Sequence, residues 1–347
     1  MNPISDKLIT WYKTNKRNLP WRNIKDPYKI WLSEIILQQT QVAQGLSYYV
    51  KFTEQFPTVI DLADAPEDLV MRFWQGLGYY SRARNLHSAA KQIKLQHKGV
   101  FPKTYSEIRE LKGVGDYTAA AVSSFAFKLP YAVVDGNVFR VLSRLFNIET
   151  PINSSQGKKE FQLIANEILN TDNPDLHNSA IMEFGALFCR PQKPKCEECP
   201  LNINCLAFQN KTVNALPLKI NKTKIKNRYF NYVVLNYKDE VYISKRTEKE
   251  IWQNLYEFYL IESEKEENEE FVLSHSELKK LNMDFSFKSK HKLNKHILSH
   301  QHIYATFYEV KLEKQIKLKQ FLKIKRVDLV NFAIPQLIIK YLKTLSK

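Results

Sequence analysis

The sequence predicts two domains of different class, a mainly α N-terminal region and a mixed α+β C-terminal one. Its 347 residues exceed one average domain and suffice to bury two cores. All nine glycines lie at or before Gly185, so the two parts obey different backbone rules. After about residue 228 the apolar pattern changes from three-and-four spacing to short β-branched and aromatic runs. The expected boundaries are a helical domain at 1–217 with a cysteine loop at 189–205, a basic linker at 218–228, and an α+β domain at 229–347.

Along the first part, DLADAPEDLVMRFWQGLGYY, RARNLHSAAKQIKLQHKG and SSQGKKEFQLIANEIL carry helical periodicity between Pro and Gly punctuation. LKINKTKIKNR is the basic linker. Strands are expected in YFNYVVLNY, in EVYISKR after a Lys-Asp-Glu turn, in NLYEFYLIE and in HIYATFYEVKL. The acidic run 262–270 reads as a solvated loop, and PQLIIKYLKTL as a closing helix with Pro335 in its first turn.

A count of 52 Lys+Arg against 36 Asp+Glu gives a formal charge of +16, which points to a polyanionic partner, nucleic acid first. The N-terminal residues show no signal-peptide pattern, and no run of about twenty apolar residues occurs, so the chain is expected to be intracellular with no membrane span. The only four cysteines, Cys189, Cys196, Cys199 and Cys205, follow C-x6-C-x2-C-x5-C. Such a Pro- and Lys-containing loop has no hydrophobic reason to fold alone, so a metal must organise it. Spacing leaves tetrahedral zinc and a four-iron cluster both open.

Three stretches carry chemistry. In LKGVGDYTAAAV, Gly113 and Gly115 precede a small-residue helix, a turn whose amides can hold a phosphate. With helical text on both sides it reads as a helix-hairpin-helix that grips a DNA backbone. In VDGNVFRVLSRL, Asp135 stands at a helix N-terminus, where free amides favour the ionised carboxylate. In KIWLSEIILQQTQV, Glu34 has Ile30, Trp31 and Leu37 among its helical neighbours, so it is expected to be desolvated. Desolvation lets a carboxyl keep its proton near neutrality, as a general acid must. Two carboxyls pushed apart in pKa are the pairing that glycosidic bond cleavage uses.

Together with LPWR, WQGLGYYSRARNL and MEFGALFC, these stretches resemble the helix-hairpin-helix DNA glycosylase superfamily, and within it the MutY family of adenine DNA glycosylases. The resemblance implies a [4Fe-4S] cluster on the four cysteines and a monomer acting on double-stranded DNA with A:8-oxoguanine or A:G mispairs, cytoplasmic and nucleoid-associated if bacterial. It gives Glu34 and Asp135 the catalytic roles, with Tyr117 and Asn137 holding them. Trp21, Arg22 and Leu37 would line the base pocket. Gln39 and Tyr79 would wedge into the base stack beside the orphaned base, Thr40 and Leu77 would be further DNA-binding residues, and Gly113 and Gly115 would hold phosphate. Relatives that also nick the strand carry a lysine where this chain has Tyr117, so a monofunctional enzyme is expected.

The second part is similar, more faintly, to the Nudix-like recognition domain of that family. Without glycines it cannot form the metal-binding loop of a Nudix hydrolase. HILSHQH matches the loop that touches 8-oxoguanine, which implies that role for Ser299 and His300, with Leu298 replacing an aromatic. Two departures stand out: Ser179 replaces a Gln or Glu that contacts the adenine, and Phe139 replaces a lysine. The competing readings are a catalytically silent DNA-binding protein with a zinc or iron-sulfur loop, and a bifunctional glycosylase/lyase.

Overall fold

The computed structural model of the protein describes residues 2–220 and 225–345. The chain divides into two compact units, Met1–Asp64 with Asn85–Asn221, and Ala65–Arg84 with Lys222–Lys347. Residues 65–84, expected within the helical domain, cluster with the second unit. Part of the expected linker, 221–224, lies outside the described residues.

The first unit is helical, and its helices begin where the sequence supplies caps. Asn2 accepts from Ile4 N ahead of Pro3–Asn15, and Asp26 accepts from Tyr28 N and Lys29 N ahead of Pro27–Leu37. Thr104 and Glu107 form a reciprocal capping box at Tyr105–Glu110. Helix Pro174–Leu187 packs against Pro3–Asn15 and Gly136–Leu145, while Pro27–Leu37 packs against Asp116–Phe127. The first group closes over a core that includes Leu8, Leu142, Phe161 and Phe184. Those packings place the second turn of Pro27–Leu37 beside the first turn of Asp116–Phe127, where the site lies.

The second unit is built on one sheet: β1 (Lys226–Tyr237), β2 (Glu240–Lys245), β3 (Tyr256–Glu257), β4 (Tyr259–Ser263), β5 (Phe285–Lys292), β6 (His296–Ile297), β7 (Gln301–Leu312) and β8 (Phe321–Lys325). The order runs β3-β2-β1-β7-β5, with β4 on β1, β6 on β7 and β8 on β2. Strands β1 and β7 are parallel from Lys226↔Gln301 to Asn236↔Lys311, and both carry long buried runs, as a strand covered on two faces should. One face holds Val233, Leu235, Tyr308 and Val310 against the short helices Glu269–Leu273 and Ser276–Lys279. On the other, Phe307 stacks on Tyr341 of the closing helix Gln336–Leu345. Strand β5 was not legible as a strand, because lysines alternate along it. The acidic run is only partly a loop: Glu262 lies in β4 and pairs with buried Arg228 at 2.5 Å.

Within this unit, helix Glu67–Trp74 is tied to the sheet. Lys245 Nζ lies 2.5 Å from Asp68 Oδ1, Tyr256 donates to Asp68 Oδ2 at 2.9 Å, and Asn254 donates to Glu67. The helix is amphipathic, and periodicity names its apolar stripe without naming the core that receives it.

Candidate active site

Helix Pro27–Leu37 is apolar nearly all round, and Glu34 is buried within it at 8 % exposure. Tyr117, in the first turn of Asp116–Phe127, donates its hydroxyl to Glu34 Oε2 at 2.8 Å. One turn on, Gln38 donates to Thr118 Oγ1 at 3.2 Å and fixes the register of the two helices. Burial is the dominant influence on Glu34 and pushes its carboxyl up; the Tyr117 hydrogen bond and the Arg22 charge pull it down, and Asp135 pushes it up again.

Asp135 caps Gly136–Leu145. Its Oδ1 accepts from the amides of Asn137 at 2.8 Å and Val138 at 2.7 Å, and its Oδ2 from Asn137 Nδ2 at 2.8 Å. From the sequence, the helix end is expected to keep Asp135 in the opposite state from Glu34. Instead, burial pushes Asp135 upward as well, against three hydrogen bonds and the Arg140 charge that favour its ionised form. The two carboxyls therefore differ less by direction than by donors: one hydroxyl at Glu34, three N–H groups at Asp135. Glu34, Tyr117 and Asp135 feel one another's charges, so the three form one electrostatic unit from residues about a hundred positions apart.

Glu34 opens onto a cavity of about 420 Å³, a size that suits a small ligand. Its wall includes Trp21, Arg22, Ser33, Phe125 and Ser179. Trp21 is held edge-on by Tyr49, with ring centres 5.1 Å apart. Arg22 donates to Ser179 Oγ at 2.8 Å and lies 3.8 Å from Glu183, a buried carboxylate already gripped by Arg17. Leu37, also expected at the base pocket, is half-buried at the C-terminal end of its helix and is not among the residues lining this cavity.

At the hairpin, Gly113 has φ +78°, and a Cβ there would meet Asn85 Cβ at 2.5 Å. Gly115 caps Asp116–Phe127 with open space in front of it. Arg109 staples the turn through Asp116 at 2.6 Å and Val114 O at 3.0 Å. Gln39 is exposed with φ 55°, and half-buried Thr40 beside it is one of the residues that follow the helix end. In the second unit Leu77 is buried, Tyr79 is 47 % exposed with φ 47°, and Ser299 and His300 lie between β6 and β7. The Tyr79 and Ser299 hydroxyls are hydrogen-bonded to each other, which joins two residues 220 positions apart.

The four cysteines ring one cavity of about 30 Å³ with Arg144, Phe188 and Val213. All four are free thiols. Among the described residues no three His, Cys, Asp or Glu side chains are drawn together tightly enough to hold a single ion. Burial pushes the Cys199 thiol up to about 11, and the neighbouring cysteines add to it, so Cys199 becomes a thiolate readily only beside a cation. Four thiols around one cavity are a donor set that fits a thiolate-held metal centre.

Nothing in the sequence pointed to the arginines behind this loop. Buried Arg144 donates to the carbonyls of Val213, Leu216, Arg190 and Pro191 and to Cys189 Sγ at 3.5 Å. Arg140 donates to Cys189 O at 2.8 Å and to Asn137 Oδ1 at 2.9 Å, so the residue that orients Asp135 is tied to the cysteine loop. Gly185 makes the approach possible: a Cβ there would meet Asn137 Cβ at 2.7 Å and Asn137 O at 2.9 Å.

A buried carboxyl pair behind a helix-hairpin-helix, with a cysteine loop beyond it, defines a DNA glycosylase of the helix-hairpin-helix class. Residues 32–167 match the HhH-GPD superfamily of base excision DNA repair proteins, and residues 231–344 match the NUDIX domain. A solved thermostable thymine-DNA glycosylase is 30 % identical with a TM-score of 0.56, covering 60 % of this chain and 95 % of its own. An adenine DNA glycosylase of Buchnera aphidicola subsp. Baizongia pistaciae is 37 % identical over 286 residues, 82 % of this chain and 81 % of that protein. A Mus musculus adenine DNA glycosylase is 40 % identical over 211 residues, 58 % of this chain and 41 % of that protein. The chain belongs to the adenine DNA glycosylase family. No helix among the described residues is long and apolar enough to cross a membrane.

Proposed function

We propose that this protein is a monofunctional glycosylase that hydrolyses the N-glycosidic bond of adenine mispaired with 8-oxoguanine or guanine in double-stranded DNA. The observation that carries the reading is Glu34: a buried carboxyl on a cavity wall, hydrogen-bonded to Tyr117 and electrostatically coupled to an N-capping aspartate.

Adenine rotates out of the duplex into the cavity, at least cost where it is mispaired. Protonated Glu34 gives its proton to N7, and the C1′–N9 bond breaks with its electrons returning to the purine. Asp135, oriented by Asn137 and the helix amides, stabilises the cationic sugar. Water then adds to C1′ and leaves its proton on the carboxylate pair, which completes the hydrolysis. Tyr117 offers no amine, so no Schiff base forms and the strand is left intact at an abasic site.

The helical domain carries excision, and the sheet domain, through Tyr79, Ser299 and His300, recognises the opposing 8-oxoguanine. Glycine amides of the hairpin hold phosphate, Gln39 and Tyr79 wedge into the base stack beside the orphaned base, and Thr40 binds the DNA next to Gln39. The enzyme works inside the cell, as a monomer on its DNA.

Cys189, Cys196, Cys199 and Cys205 would hold a [4Fe-4S] cluster, which would supply the organisation the loop lacks, and Arg140 ties that loop to Asn137 through Cys189 O and Asn137 Oδ1. The purified protein is expected to be yellow-brown with broad visible absorbance; a colourless protein containing zinc would overturn this assignment. Glu34→Gln should abolish single-turnover release of adenine opposite 8-oxoguanine while the protein still binds that duplex. Full activity in the variant would remove Glu34 from the chemistry.

A further inference from the structure

Residues 75–80 join helix Glu67–Trp74 to helix Ser81–Gln96 through left-handed backbone at Gly76, Gly78 and Tyr79, with φ 99°, 75° and 47°. Glycine adopts that region freely, whereas a tyrosine there is strained and stays only where its surroundings impose it. Arg82, in the first turn of the second helix, supplies much of that imposition. Its guanidinium carbon lies 5.1 Å from the ring centre of buried Trp74 and 5.6 Å from that of Tyr79. Its Nη2 donates to Gly78 O at 3.3 Å and reaches Leu77 O at 3.5 Å, while Trp74 Nε1 donates to Gly78 O at 3.0 Å. One side chain thus holds both carbonyls that precede Tyr79 and the face of its ring.

A side chain that enters a duplex must separate stacked bases, and a mobile one loses rotamer freedom as well. Resting on the function proposed above, in which Tyr79 wedges beside the orphaned base, we infer that Arg82 is a positioning residue that presets this wedge. The cation holds the ring by its face and the Ser299 hydrogen bond holds it by its hydroxyl, so the ring meets DNA already oriented. Tyr79 keeps its 47 % exposure in this grip, which leaves ring surface for a base. Arginine suits the task better than lysine, because its planar fork stacks on rings and bonds carbonyls at once.

The test places 2-aminopurine next to an adenine opposite 8-oxoguanine and reads the fluorescence rise on rapid mixing with saturating enzyme, before excision; single-turnover adenine release is measured in parallel. Wild-type enzyme should brighten the probe as the stack opens. Tyr79→Ala and Arg82→Ala should each lose most of the rise, and Arg82→Ala should slow release by roughly fivefold to thirtyfold, the scale of a cation–π contact and a charged hydrogen bond lost together. In a Tyr79→Ala background, Arg82→Ala should add less than about twofold, because the ring it acts through is already gone. Should Arg82→Ala not fold, Arg82→Lys carries the comparison: it keeps a charge over the ring without the fork, so a smaller loss, again absent without Tyr79, is expected. A full further loss in the Tyr79→Ala background would show Arg82 acting on DNA directly or on the fold at large, and would overturn the inference, as would a normal rise in Arg82→Ala. If Tyr79→Ala itself kept the wild-type rise and rate, the wedge reading would fall, and this one with it.

Discussion

The Tyr117 hydroxyl lies 2.8 Å from Glu34 Oε2 and donates to it, although the proposed chemistry needs Glu34 protonated. The bond favours the ionised carboxylate and so opposes burial, which favours the neutral acid. A carboxyl held between those opposing influences can both give and recover a proton more readily than one under either influence alone.

Tyr117→Phe should therefore raise the pKa of Glu34. If Glu34 is the acid, as proposed, activity falls as pH rises through its value, so the alkaline limb of the single-turnover pH profile should move to higher pH. The plateau should drop by up to about tenfold through lost orientation, the scale of one hydrogen bond. A limb that stays in place or moves to lower pH would contradict the assignment. The same shift governs stability. A carboxyl raised on folding stabilises the protein fully below its unfolded pKa, and that contribution is lost as pH rises through the raised folded value. Glu34→Gln should accordingly gain thermal stability over wild type as pH rises across that window, and melting curves at several pH values would check it.

The two hairpin glycines separate backbone need from ligand need. Gly113 holds φ +78° and has Asn85 where a Cβ would stand, so Gly113→Ala should cost about 1–3 kcal/mol of stability in denaturant titrations. Gly115 has neither constraint: its backbone is ordinary and extended, and a Cβ added there would have nothing within 4 Å. Gly115→Ala should leave stability within about 0.5 kcal/mol of wild type and still weaken duplex binding, because the added methyl stands where a phosphate would approach. Unchanged affinity in a stable Gly115→Ala protein would move the phosphate contact elsewhere.

Much of the site was legible because its residues break local rules. An acid inside an apolar helix, an aspartate before a glycine at a helix start, and four cysteines in a loop without a core all conflict with bland packing, and such conflicts mark function. Ser179, Arg140 and Arg144 break no rule. A serine within a helix and two arginines four apart on an amphipathic helix read as ordinary surface, and only tertiary structure shows them buried against carbonyls and the cavity wall. Similar reasons hid β5, where lysines at 288, 290 and 292 interrupt the apolar alternation at the end of the sheet path, as edge strands favour. The placement of residues 65–84 was invisible for another reason. A helical stripe names the face to be buried, whereas its receiving core is set by partners such as Lys245 and Tyr256, far away in sequence.

The Tyr79–Ser299 hydrogen bond makes a prediction about additivity. Tyr79 occupies left-handed backbone, which a bulky residue adopts only when its surroundings impose it, and Ser299 lies in the turn between β6 and β7. If the two hydroxyls act as one unit toward the base opposite adenine, Tyr79→Phe and Ser299→Ala should each lower the preference for 8-oxoguanine over guanine by similar amounts, roughly threefold to tenfold in kcat/KM ratio. The double variant should then lose little more than either single one, because the second substitution removes a partner already gone. Strict additivity would show two independent contacts, and an unchanged ratio in both single variants would place recognition outside this pair.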